Sequence, residues 1–257
     1  MASAIALTYT RDGFVMAADG RMRQNKIVIS ENAQKIFSIA PNKEISLAYA
    51  LGGSVFLTDK ANDNVIVVNL QQRAGVAVAA LSPVDHDGLT SYVRALCMFL
   101  YRAILEGQNT GMMELLPVKL RRGGNFDICY LFVAGYYRGQ PGWRFAVFSH
   151  NDQKLLTPEL HDHILTKGPL IYGSEIIKRK LFDNDDSKVS PYRVPGFQQS
   201  ECPTLSDGIE AMKNYIRACS DPRVAAFDRE ICNAIGGHLH IATVTSKGGF
   251  SWACPPV

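Results

Sequence analysis

An Asp-Gly step at Asp12-Gly13, set between the apolar runs Ala4 to Tyr9 and Phe14 to Ala18, constrains the start of this chain more than any other feature. Two such runs joined by Thr10-Arg11-Asp12-Gly13 signal a β-hairpin, because Asp and Gly accept the backbone angles that a tight turn needs. A hairpin there brings the chain start beside Asp19. The pattern repeats over Lys26 to Ser30, Lys35 to Ile39 and Ile45 to Leu51, with Pro41-Asn42-Lys43 as a turn. Neighbouring strands lie about 4.8 Å apart, so Asp19 and Lys35 can both reach the position of residue 3 across a sheet. The spacing is even, 16 positions from Ser3 to Asp19 and 16 more to Lys35.

Acid–base chemistry says what such a trio can do. A serine hydroxyl is a poor nucleophile unless a base takes its proton, and a free α-amino group with a pKa of about 7.7–8.0 is a usable base. That amine exists only if Ser3 is the first residue. Removal of the initiator Met1 leaves Ala2 first, so the Ala2–Ser3 bond must also be cut. A lysine ammonium lowers the pKa of the amine and of the hydroxyl, and a carboxylate holds the lysine and balances its charge. Singly, Asp and Lys at strand ends more often form a solvated ion pair, and a Ser near a chain start more often does nothing. It is the joint spacing that argues for a site.

The stretch from Ser3 through Asp12-Gly13, Asp19, Arg21, Asn32, Lys35 and Phe37 to Gly52-Gly53 resembles the amino-terminal third of proteasome β-subunits. These belong to the N-terminal-nucleophile hydrolases, and the bacterial homologues are nearest in style. The parallel continues through Phe126 to Tyr136 and Ile235 to Val244, so it covers close to the whole chain. It implies an α+β fold, a four-layer αββα sandwich, formed as one domain over residues 1–257. It places Ser3, Asp19 and Lys35 at catalytic positions, a backbone N–H around Tyr49 as oxyanion donor, and Arg21 and Gly168 in support. It implies a peptidase subunit acting on peptide or protein substrates, with copies assembled into rings. Two places depart from the pattern. Pro169, which has neither a hydroxyl nor an N–H, follows Gly168 where the family has a polar residue, and Cys232 to Gly237 lacks the Asp and Ser that many β-subunits carry there. Beside the peptidase stand two alternatives, a ring-forming scaffold without catalysis and an amidohydrolase acting on a small amide.

Length and composition fit one compact unit: 257 residues, 47% of them hydrophobic, can bury a substantial core, and no linker divides them. A net charge of +3 is mild and points to neither nucleic acid nor membrane as a partner. The dense basic spot Lys119-Leu120-Arg121-Arg122, followed by Gly123-Gly124, reads as a solvated loop. Six cysteines, Cys97, Cys129, Cys202, Cys219, Cys232 and Cys254, show no C-x-x-C spacing, and no secretory signal is seen. A reducing, cytoplasmic setting with free, buried and inert thiols is expected. His238 and His240 alternate on a strand and share one face. Zinc would need a third ligand, and His161-Asp162-His163 serves only if the fold brings it near. No cofactor is expected, and nothing identifies an ATP-dependent unfoldase partner.

Further along, Leu89, Val93, Leu96, Leu100 and Ile104 recur at helical steps within a helix expected over Asp85 to Glu106. Asp127 to Tyr137 and Trp143 to Ser149 read as a hairpin around Arg138 to Gly142. Tyr172 to Phe182 reads as a short helix, and Thr204 with Asp207 caps a helix over Leu205 to Cys219. Exposed apolar faces on the Asp85 and Tyr172 helices would be ring contacts if they are not core. Leu239 to Thr245 is a closing strand. Val65 to Asn69 is β-branched where the resemblance has its first long helix, which leaves an inserted hairpin or an altered ring contact. Asp183 to Pro203 reads as a long exposed loop.

Overall fold

The computed structural model describes residues 4–257 apart from 25–26, 41, 63–64, 114, 116–118, 121–124, 152–153, 163–168, 184–185 and 202. β1 (Ile5–Thr10) and β2 (Gly13–Asp19) form the predicted hairpin, in register from Ile5 opposite Ala18 to Thr10 opposite Gly13. The Thr10 hydroxyl donates to the Gly13 carbonyl at 2.9 Å and closes the turn. A separate two-stranded hairpin follows, β3 (Met22–Gln24) with β4 (Ile27–Ser30). Between β5 (Ile36–Ile39) and β6 (Ile45–Gly53), the Asn42 side-chain oxygen accepts from the N–H groups of Glu44 at 2.9 Å and Ile45 at 3.0 Å.

The β-branched stretch is a strand, β8 (Ile66–Asn69), which pairs with β7 (Phe56–Thr58). A helix nevertheless follows at once, α1 (Leu70–Ala80), because Asn69 ends the strand and caps the helix by accepting from the Gln72 N–H. In α2 (Leu89–Asn109) the apolar stripe is buried, so this face is core and not a free contact surface. After β9 (Lys119–Leu120), which puts the first two residues of the basic spot in a strand, come β10 (Phe126–Tyr137) and β11 (Gln140–Asn151). Their connection is shorter than expected. Arg138 at φ 50 and Gly139 at φ 75 make a two-residue turn of the mirror-image kind that matches strand twist, which leaves Pro141 inside β11 opposite Tyr136.

β12 (Lys154–Leu155) and β13 (Glu159–Asp162) pair with β11. Tyr172 closes a strand, β14 (Leu170–Tyr172), and the helix expected from it begins three residues later as α3 (Glu175–Phe182), capped by Ser174. The expected loop from Asp183 holds a 3-10 turn at Ser190–Tyr192 and α4 (Pro195–Gln199), and it buries Val189 and Phe197. The predicted capping box opens α5 (Leu205–Ser220). Asp207 N–H donates to the Thr204 hydroxyl at 3.1 Å, and Thr204 N–H to the Asp207 carboxylate at 3.0 Å. α6 (Pro222–Ala225), α7 (Arg229–Cys232), β15 (Leu239–Thr245) and β16 (Gly249–Cys254) complete the chain order.

The result is a mixed α/β protein with two main antiparallel sheets. One runs β14-β1-β2-β15-β16, the other β12-β11-β10-β6-β5 with β13 and β9 added to it. Strand side chains alternate between faces, and the core follows that period. Ile5, Leu7, Met16 and Ala18 meet Ala48, Ala50 and Phe132 in one buried cluster. Ala4, Ala6, Val15 and Ala17 pack with Met212 and Tyr215 of α5. Leu47, Tyr49 and Leu51 pack with Leu96 and Leu100 of α2. Among the described residues no helix is long and apolar enough to cross a membrane.

Candidate active site

The end of β2 carries Asp19 into the interior, and the segment entering β5 carries Lys35 to meet it. Both are buried, with Asp19 at 0% and Lys35 at 6% exposure. Lys35 Nζ donates to Asp19 Oδ1 at 2.7 Å and to the Arg21 carbonyl at 2.8 Å. The Ala4 N–H donates to the same Asp19 oxygen at 2.8 Å, and the Gly236 N–H to Asp19 Oδ2 at 3.1 Å. Two backbone donors and an ammonium therefore fix the carboxylate, as a buried charge requires.

Electrostatics here are set by burial against pairing. Burial pushes the Asp19 carboxyl up, and the Lys35 charge with the hydrogen bonds from Lys35, Ala4 and Gly236 oppose it. Burial pushes the Lys35 ammonium down, and Asp19 opposes that while Arg21 adds to it.

Arg21 and Gly236 frame the pair. The Arg21 guanidinium bonds Glu31 at 3.1 Å and the Ile235 carbonyl at 3.3 Å, while the Arg21 backbone N–H donates to the Gly236 carbonyl at 2.8 Å. Gly236 has φ 155, and a Cβ there would lie 2.7 Å from Arg21 Cζ. The backbone thus comes close enough to serve Asp19 only because that residue has no side chain.

His240 is fully buried on β15, on the same strand face as Ala242 and Val244. Its Nε2 lies 2.9 Å from Asn32 Oδ1, which also accepts from the Val257 N–H at 3.3 Å. The Asn32 amide nitrogen donates to the Val257 carbonyl, so the amide orientation is fixed and His240 Nε2 is the donor. Its Nδ1 meets no hydrogen-bond partner among the described residues. Burial, then the charges of His238 and Lys35, lower the imidazole to about 4.

The sequence-predicted residues divide as follows. Asp19, Lys35 and Arg21 come together. Ser3 and Gly168 lie outside the described residues, as do Cys202, His163 and Arg121 to Gly124 of the basic spot. Tyr49 stands mid-strand in β6, opposite Phe37 of β5 and Val133 of β10, so both edges of the strand are covered at that point. Its ring faces the α2 side and stacks on Phe37 at 5.0 Å, away from the cluster between the sheets. His238 and His240 do share a face, with ring centroids 5.3 Å apart. His161 sits instead on β13, in the other sheet, against Phe145 and Glu159. Among the described residues no group of three His, Cys, Asp or Glu gathers as a metal would need. Sequence reasoning missed the Ala4 and Gly236 N–H donors, and it weighed His240 only as a zinc ligand beside His238. The first two are backbone donors without a side-chain signature, and only the Gly236-Gly237 doublet before the last strand hints at one of them.

No family model matches the chain. No curated protein matches it either. Solved structures do. The likeness is to Anbu, an ancestral beta-subunit. Anbu from Yersinia bercovieri aligns with a TM-score of 0.50 at 12% identity, covering 98% of this chain and 87% of that one. An Anbu (Gly-1) mutant from Hyphomicrobium sp. strain MC1 aligns with a TM-score of 0.54 at 10% identity and the same coverage. The expected membership among proteasome β-subunits and their bacterial homologues is therefore corrected. At 10–12% identity the likeness to Anbu is one of fold alone, and no sequence match supports closer kinship.

Proposed function

We propose that this chain is an amide hydrolase that cuts peptide bonds with Ser3 as its nucleophile after loss of Met1 and Ala2. The single observation that carries the reading is the buried Asp19–Lys35 pair, anchored by the N–H of Ala4, the residue that follows Ser3. In this reading Lys35 lowers the pKa of the Ser3 hydroxyl and its free amine, which acts as general base, and Asp19 holds Lys35 in place. The rate then rises with pH as the amine sheds its proton. No cofactor takes part. Arg21 supports the site by holding the Gly236 segment; a Tyr49 backbone donor and Gly168 complete the proposed set. The three buried clusters support a helix–sheet–sheet–helix stacking, a four-layer αββα sandwich formed as one domain.

Self-association into rings, in a cytoplasmic setting, belongs to the same proposal. It draws support from β4, which exposes Ile27, Val28 and Ile29 at 68%, 41% and 49%. Such an apolar run on a two-stranded ribbon is a natural contact surface. That hairpin equally favours a ring-forming scaffold without catalysis. The deciding experiment is intact mass spectrometry of the purified protein, together with hydrolysis of a fluorogenic peptide amide. Loss of Met1 and Ala2, with turnover that Ser3→Ala abolishes, is expected. A chain that keeps Ala2, forms rings and turns over no amide would establish the scaffold. Turnover of small amides alone would assign a small-amide amidohydrolase.

A further inference from the structure

The smaller sheet is wider than its helical cover. α5 lies chiefly over β2 and β1 and reaches β15 less, so a cleft of about 960 Å³ opens between α5 and the β15–β16 side of the sheet. That volume falls within the roughly 300–1,000 Å³ of small-molecule sites. Ile209 and Ile216 of α5 line one side of it, and Leu239 and Ile241 of β15 line the other. All four belong to one apolar cluster, in which Ile216 and Ile241 are buried.

The polar side chains around this apolar surface are paired within the protein, with one exception. Lys213 Nζ donates to Glu210 at 2.7 Å. Asp221 accepts from the Tyr192 hydroxyl at 2.6 Å and from Arg223 at 2.9 Å. The Ser220 hydroxyl donates to the Ile216 carbonyl at 3.1 Å, His238 Nε2 to the Pro255 carbonyl at 3.0 Å, and the Cys254 thiol to the Leu239 carbonyl at 2.9 Å. Arg217, in the last turn of α5, also lines the cleft. Its guanidinium has no hydrogen-bond or ion-pair partner among the described residues. The two opposite-charge pairs cancel, which leaves the Arg217 charge uncompensated.

We propose that this cleft is a binding site for a small amphipathic monocarboxylate, whose alkyl or aryl body lies on Ile216, Leu239 and Ile241 and whose carboxylate pairs with Arg217. One anionic head matches one unpaired guanidinium, and the planar fork of an arginine takes a carboxylate on two parallel N–H groups. A second negative charge would face Glu210 and Asp221 with no cation left to meet it. A neutral or cationic amphiphile would leave Arg217 without a partner. Neither Asp19 nor Lys35 lines this cleft, so the site does not rest on the hydrolase reading.

Cys254 supplies the readout, because it lines the cleft and is the one described cysteine that is not buried. The full chain is treated with N-ethylmaleimide near neutral pH, with and without millimolar octanoate, and alkylation of Cys254 is followed by peptide mapping. Octanoate is expected to slow that alkylation, and 1-octanol or octylamine at the same concentration to slow it less. Isothermal titration calorimetry measures octanoate affinity without reference to the thiol. Arg217→Gln is expected to weaken that affinity about threefold to fivefold, the scale of an exposed ion pair. The Arg217 side chain is exposed and unpaired, so the variant keeps the fold. Absence of octanoate binding by calorimetry overturns the proposal, as does equal binding by the parent and Arg217→Gln, or equal protection by 1-octanol. Cys254 that is protected in the ligand-free protein and freed on dilution would show a second copy of the chain in the cleft, which overturns it as well.

Discussion

Lys35 Nζ lies 2.7 Å from Asp19 Oδ1 with neither side chain open to solvent, so each charge depends on the other for most of its compensation. Removing one member of a buried pair leaves an uncompensated charge, which costs more than the pair itself contributes. Lys35→Met is expected to cost about 3–5 kcal/mol, read as a fall in the urea midpoint. Asp19→Asn combined with Lys35→Met should recover part of that loss, because the orphaned carboxylate is then gone. A single variant within about 0.5 kcal/mol of the parent would mean that water, not Lys35, balances Asp19.

Gly236→Ala tests the backbone donor. With φ 155 and Arg21 Cζ only 2.7 Å from the new Cβ, the substitution is strained and displaces a guanidinium. The expected loss is about 1–3 kcal/mol, with weakened hydrogen-exchange protection at Gly236 as its N–H parts from Asp19. Unchanged stability and protection would show that the segment relaxes freely.

Much of the fold was legible where local chemistry decides. Asp12-Gly13 marked the first hairpin and Thr204 with Asp207 the α5 cap, because turn and cap signals act within four residues. Val65 to Asn69 read correctly as a strand, but the α1 helix behind it was masked by the apolar run at its end. The stretch after Asp183 looked like loop because, among its described residues, only Val189 and Phe197 are buried, with Tyr192 and Val194 partly buried beside them. At the site, the spacing of Asp19 and Lys35 brought two side chains together as read. The Gly236 donor, just before β15, and His240, on β15, lie more than 200 positions from Asp19 and Asn32, a separation across which local pattern carries no signal.

The β3–β4 ribbon predicts an assembly effect without a folding effect. Ile27 and Ile29 are exposed at 68% and 49%, so replacing both with Lys removes no core contact. Stability should stay within about 0.5 kcal/mol per substitution, while sedimentation velocity should shift toward a smaller species. Retention of the parent's sedimentation coefficient would show that this ribbon is not an assembly contact.

His240 makes stability depend on pH with a definite sign. Its imidazole is lowered to about 4 in the folded protein, chiefly by burial and then by His238 and Lys35, against an ordinary value of 6.5. Between those two values the unfolded chain binds a proton that the folded chain does not, so unfolding takes up protons and stability rises with pH. The contribution is fully present above about pH 6.5, declines as the pH falls, and is lost once the pH is below about 4. The gap from 6.5 to about 4 corresponds to at most about 3 kcal/mol. His240→Gln keeps an N–H for Asn32 but cannot titrate, so it should flatten urea-derived stability across this window and leave other carboxylate-driven changes in place. A parent and variant whose stability curves run parallel from pH 7 to pH 4 would refute a buried, neutral His240.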